Sequence, residues 1–232
     1  MMQSTTRVVI PNTYSDLQWF ESAPARVAKK SNQLTCERKF RKHEHVYMEG
    51  DAKHYVYLVL AGVVGTYKVQ LDGRRQITSF ASEGDIVGFD YPDFYCDTAQ
   101  AFSDIQLRCV SVSAIDKLMR IDSEFSRNML RMTSLELIRA REQLLSLGCQ
   151  SAMEKLANFL LQFCRTNHSR GESSKMIHLP MNRRDIADYL GLTIETVSRK
   201  FTQMRTLGVI KLLSNTEILV LDRVKLEGIS GR

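Results

Sequence analysis

Glu195, Ser198 and Arg199 are spaced by three and four residues, which on a helix places all three on one face. Together they have the chemistry to read base pairs. An Arg guanidinium donates two parallel hydrogen bonds to guanine O6 and N7, and a Glu carboxylate accepts from a cytosine amino group. A Ser hydroxyl serves a base edge or a phosphate. Around them stand Thr193, Thr196 and Lys200, with Arg183 and Arg184 before and Lys211 after. These are candidate phosphate contacts, which fix register without reading sequence. A solvated amphipathic helix is the plain alternative for such a pattern. Agreement among caps, break, apolar stripe and polar face favours the base-reading one.

Two short helices must position these groups. Asn182 suits an N-cap, with Asp185 three residues on to complete a capping box. Ile186, Ala187 and Leu190 form a small apolar face, and Gly191 stops the helix. Thr193 caps the second helix, where Val197, Phe201, Met204 and Leu207 make a buried stripe at steps of four, three and three. That is a helix-turn-helix with its second helix offered to the major groove. Upstream, Met153, Leu156, Ala157, Leu160 and Leu161 predict an amphipathic helix to about Arg165, and Met176–Leu179 a short strand. Downstream, Gly208 turns the chain into Val209–Leu213, with Glu217–Leu221 pairing back as a hairpin. The whole is a winged helix-turn-helix.

The run Tyr189-Leu190-Gly191-Leu192-Thr193-Ile194-Glu195-Thr196-Val197-Ser198-Arg199 closely resembles the helix-turn-helix of the cyclic-AMP-receptor/FNR superfamily of bacterial transcription factors. Its Glu-x-x-Ser-Arg spacing is similar to the FNR and FixK branches, whose Glu, Ser and Arg read TTGA-type half-sites. The resemblance covers nearly the whole chain apart from its first stretch. It implies an α+β chain with an N-terminal antiparallel β-roll of cyclic-nucleotide-binding type, a long dimerisation helix and a C-terminal winged helix-turn-helix. It further implies a homodimer on double-stranded DNA that recruits RNA polymerase, in gene control under low oxygen, including nitrogen fixation.

Composition bounds the same reading. The 232 residues carry 32 Lys and Arg against 26 Asp and Glu, and residues 148–232 hold 13 of those cations against 8 of the acids. Most of the positive surplus therefore lies with the helix-turn-helix, as a phosphate-facing domain needs. No apolar run reaches the roughly 18 residues a membrane span needs, and no signal-peptide core stands at the N-terminus. A cytoplasmic protein without membrane association is expected. The expected divisions are an N-terminal extension 1–33, a β-roll 34–121, a dimerisation helix 122–147 and the DNA-binding domain 148–232. Within the extension, Asp16–Phe20 suits a short helical turn.

Between Leu34 and Val112 the pattern has period two, with strands expected at Val46–Met48, Tyr55–Leu60, Val63–Val69, Gln76–Phe80, Ile86–Phe89, Ala99–Phe102 and Ile105–Val112. Asp72-Gly73 is a hairpin signal. Against the family's phosphate pocket, Gly88-Phe89 stands in place of Gly-Glu and Asp97-Thr98 in place of Arg-Ser. An Asp opposite a phosphate repels it, so no cyclic nucleotide is expected. Of the five cysteines, Cys36 alone precedes the roll, with Cys109 at the place of a distant fourth ligand. One or two thiolates do not hold the four-cysteine iron–sulfur cluster of FNR, so none is expected. Cys109 is the candidate for a single redox thiol, and a ligand- or thiol-redox-gated regulator is the alternative within this class. His43-Glu44-His45-Val46-Tyr47-Met48-Glu49 resembles the first metal motif of cupins, with Glu37 and Val56 at the flanking glycine positions. No metal is expected. A metal-dependent β-roll enzyme fused to a DNA-binding domain is the alternative from another class.

Glu124–Leu147 contains neither Gly nor Pro, and Asp122 or Ser123 can cap it. Leu130, Leu137 and Leu144 recur every seven residues, with Ala140 and Leu147 at the coiled-coil offset. Phe125, Met129 and Met132 form a second stripe. Two stripes imply two partners: the roll and a second subunit. Burial on both sides within one chain is the alternative. Gly148 is expected to end the helix.

Overall fold

The computed structural model describes residues 35–90, 93–169 and 175–231. The N-terminal extension, with its Asp16–Phe20 turn, lies outside the described residues.

Period-two patterning between residues 35 and 111 builds a roll of two facing antiparallel sheets. The strands are β1 (Thr35–Phe40), β2 (His45–Tyr47), β3 (Tyr55–Ala61), β4 (Val63–Val69), β5 (Arg75–Ser82), β6 (Ile86–Val87), β7 (Thr98–Ala101) and β8 (Ile105–Ser111). One sheet runs β1-β8-β3-β6 and the other β2-β7-β4-β5. Tyr47, Tyr57, Val59, Val64, Ala81, Ile105 and Leu107 fill the interior between them. Asp72-Gly73 lies in the β4–β5 turn, Gly73 at φ +82°, a conformation Gly adopts without a Cβ penalty.

The alternate residues of β3, Val56 and Leu58, point outward, so that strand is buried on both faces. Against them pack α1 (Val112–Ile121) and the start of α2 (Ser123–Cys149), through Ile115, Leu118, Phe125, Met129 and Met132. Asp122 caps α2, its carboxylate accepting from the Glu124 and Phe125 amides at 3.0 and 2.9 Å. At 27 residues α2 spans about 40 Å. Gly148 does not end it. It is carried inside the last turn, where even an added Cβ would meet nothing within 4 Å, and the helix runs on to Cys149.

The C-terminal part comprises α3 (Ala152–Ser169), β9 (Met176–His178), α4 (Arg183–Leu190), α5 (Ile194–Thr206), β10 (Ile210–Leu212), β11 (Glu217–Val220) and α6 (Arg223–Ile229). Ser151 and Glu154 form a capping box at the head of α3. Lys155 donates to the Leu147 carbonyl at 3.1 Å, tying α3 to the last turn of α2. The expected hairpin is the outer part of a three-stranded sheet ordered β10-β11-β9. Strand β1 and helix α6 were not among the elements the sequence pattern picked out. Four of the six residues of β1 are exposed, so no alternation marks it.

Candidate nucleic-acid interface

The helix-turn-helix is held by short-range chemistry. The Asn182 side chain accepts from the Asp185 amide at 3.0 Å, and Asp185 accepts from the Asn182 amide at 2.9 Å. Gly191 ends α4 in the left-handed conformation, φ +62°. A Cβ there would meet the Leu147 side chain at 3.1 Å, so the break also lets α2 pass close by. Thr193 caps α5, accepting from the Thr196 amide at 3.2 Å. Val197, Phe201 and Met204 are buried beneath the helix. Leu207 is not part of that stripe: it is the C-cap, 43 % exposed, because the chain leaves the helix there.

This packing turns one face of α5 outward. Glu195, Ser198 and Arg199 are all exposed on it. Hydrogen bonds from its own backbone and from Thr193 hold the Glu195 carboxyl below the usual carboxylate range, so it is an ionised acceptor at neutral pH. Arg199 lies against the Thr196 hydroxyl at 3.3 Å, and Lys200 donates to Gln203 at 3.0 Å. Arg184 and Lys211 are exposed to either side, Lys211 on β10 of the wing.

Arg183 is placed otherwise than expected of a phosphate contact. Its guanidinium carbon lies 3.4 Å from the centre of the Phe201 ring, and burial lowers its pKa to about 10. It cements α4 to α5 by a cation–π contact rather than reaching outward.

The orientation of this unit is set by residues that local patterning does not reveal. Arg75 on β5 pairs with Asp185 and Asp188 of α4, contacting Asp188 at 2.9 and 3.0 Å. Gln76 donates to the Asp188 carbonyl at 2.6 Å, Gln143 of α2 to the Tyr189 carbonyl at 3.0 Å, and Lys42 to the Pro180 carbonyl at 3.1 Å. Phe80 packs on Tyr189 with ring centres 5.2 Å apart. Tyr67, Ile77 and Phe102 of the roll share one apolar cluster with α3, α4 and α5. The first helix of the reading unit is thus bolted to the β4–β5 hairpin.

Two domain models match the chain. A Crp-like helix-turn-helix domain covers residues 154–229 and a cyclic nucleotide-binding domain covers residues 37–122. The nitrogen fixation regulation protein FixK of Azorhizobium caulinodans is 36% identical over 200 residues, 86% of this chain and 81% of that protein. This chain belongs to the CRP/FNR family of transcription regulators. FixK of Bradyrhizobium diazoefficiens is likewise 36% identical, over 83% of this chain and 81% of its own length. The structure of FixK2 from Bradyrhizobium japonicum superposes with a TM-score of 0.79 at 39% identity, covering 84% of this chain and 97% of that one. The CRP/FNR fold accounts for the roll, long helix and helix-turn-helix together, and makes this a DNA-binding regulator and not an enzyme. No helix among the described residues is long and apolar enough to cross a membrane.

Beside Gly88-Phe89 and Asp97 the roll holds a cavity of about 230 Å³, lined among others by Tyr47, Thr66, Asp90 and Glu136. Burial, then repulsion from Asp90, pushes the Asp97 carboxyl up to about 6; Tyr47 donates to it at 3.3 Å. The cupin-like residues are dispersed over separate partners. His45 bonds the Tyr67 hydroxyl at 3.0 Å, and Glu49 pairs with Lys68 at 3.0 Å.

Cys109 does not fit a lone redox thiol. It is fully buried in the roll, and burial pushes its thiol up to about 12, away from the reactive thiolate.

Proposed function

We propose that this FixK-type regulator binds TTGA-type palindromes as a homodimer and recruits RNA polymerase, in the control of genes used when oxygen is limiting or nitrogen is fixed. The observation that carries the reading is the exposed face of α5, where Glu195, Ser198 and Arg199 stand together above a buried Val197, Phe201 and Met204. Naming of the FixK relatives as nitrogen fixation regulators supports the physiological theme. The dimer rests on α2: Leu130, Leu137 and Leu144 are 69, 51 and 72 % exposed in the single chain, an apolar row that water does not favour. Two copies related by a two-fold axis present two α5 helices to half-sites about one helical turn apart.

The roll works without a cyclic nucleotide. Asp90, Asp97 and Glu136 line the cavity where a phosphate would have to sit, and carboxylates repel it. No metal and no iron–sulfur cluster takes part.

Selection from a random duplex pool tests the proposal. Enrichment of a palindrome with TTGA and TCAA arms, one turn apart, is the expected result. Enrichment of an unpaired single arm, or no enrichment, would refute it. Adding cyclic AMP should leave both the selected sequence and the melting temperature unchanged; a saturable rise in melting temperature would overturn the ligand-free roll.

A further inference from the structure

We propose that Cys36 and Cys109 are a cross-strand dithiol that closes to an intrachain disulfide by exchange with a low-molecular-weight disulfide. Pairing of β1 with β8 places Cys36 directly opposite Cys109, between the pairs Thr35–Val110 and Glu37–Arg108. Opposed residues in an antiparallel pair have Cα atoms about 4.5 or 5.5 Å apart. Both spacings lie inside the range of about 4.4–6.8 Å that a disulfide spans. As directly opposed residues of an antiparallel pair, the two side chains share one side of the sheet. Among the described residues strand β1 is the outer strand of its sheet, paired on one edge only, so it can make the small approach that bond formation needs.

The two sulfurs differ in a way that divides the reaction between them. Cys36 is exposed and meets the oxidant; Cys109 is buried and closes the bridge. Arg38, two residues along the same strand and so on the same face, offers positive charge near the Cys36 sulfur during exchange. In the first step the Cys36 thiolate attacks one sulfur of oxidised glutathione. The glutathione S–S bond breaks, a mixed disulfide forms, and one glutathione leaves and takes up a proton. In the second, Cys109 attacks the Cys36 sulfur as its proton passes to the departing glutathione thiolate, which leaves as the second glutathione thiol. Two protein thiols are oxidised and one small disulfide is reduced to two thiols. The bridge ties the strand that opens the roll to the strand that leads into α1.

The test is peptide mapping of the full chain after incubation with oxidised glutathione, trapping free thiols with an alkylating agent. A dithiothreitol-reversible Cys36–Cys109 peptide is expected, with Cys96, Cys149 and Cys164 alkylated. In Cys36→Ser, an exposed change, Cys109 should remain alkylatable once the protein is denatured. A persistent glutathione adduct on Cys36 beside a free Cys109 would overturn the proposal. So would a link from Cys36 to another cysteine or another chain.

Discussion

Arg199 and Glu195 lie one helical turn apart on α5, an arrangement able to donate to a guanine and accept from a cytosine amino group. Arg199→Ala should cost about 1–3 kcal/mol of specific affinity and relax the preference at one guanine. Equal weakening on scrambled duplex would show Arg199 to be a phosphate contact instead. Asp97 allows a second prediction at this scale. Its folded pKa of about 6 lies above the ordinary value of about 3.9, so the folded state holds that proton more tightly. Stability from this group is present below about pH 4 and is lost as pH rises through about 6. Asp97→Asn, which keeps an acceptor for Tyr47, should therefore stabilise the protein by on the order of 1–3 kcal/mol at pH 7. That gain should vanish at pH 4, as thermal melts across pH would read. A gain independent of pH would assign the effect to something other than this carboxyl. The shared exposed face of Glu195, Ser198 and Arg199 was legible in the sequence because caps and stripe act within a few positions. The stacking of Arg183 on Phe201 was not, since nothing in a local pattern says which ring a guanidinium will meet.

Among the elements, α2 shows two faces with different fates. Phe125, Met129 and Met132 are buried against the roll, whereas Leu130, Leu137 and Leu144 stand in solvent in the single chain. Truncating Leu137 and Leu144 to Ala should shift the protein toward monomer in sedimentation. The fold of each chain should survive, because neither side chain supports its core. An unchanged sedimentation profile would remove this face as the seam. Seven-residue spacing made that face readable in the sequence, and Ile138 and Leu145, also exposed, widen it. Helix ends were less readable. Gly148 passed for a stop, yet a Gly costs only about 1 kcal/mol inside a helix, and α2 runs one residue past it to Cys149. Strand β1 escaped notice because its pairing with β8 lies far along the chain and most of its side chains are exposed.

For the molecule as a whole, the roll acts as the mount of the reading head. Arg75 bridges Asp185 and Asp188 across more than a hundred residues of sequence, and Asp185 is also half of the capping box that starts α4. Arg75→Ala should destabilise the chain by about 2 kcal/mol, the scale of charge-assisted hydrogen bonds. It should also weaken binding to the specific site while leaving the order of base preference intact. A changed base preference would mean that Arg75 acts on the reading residues themselves. No local pattern discloses such a mount, because its partners meet only after folding. The contacts that fix α4 are built from the chain's own side chains, which supports the proposal of a regulator that stands ready without a ligand.

That claim is tested most directly by fluorescence anisotropy of the purified, effector-free protein at fixed salt, on a TTGA–TCAA palindrome and on a scrambled duplex. Tight and selective binding to the palindrome is predicted. Weak or unselective binding that sharpens only when a small molecule or reductant is added would contradict it, and would place the switch inside the roll.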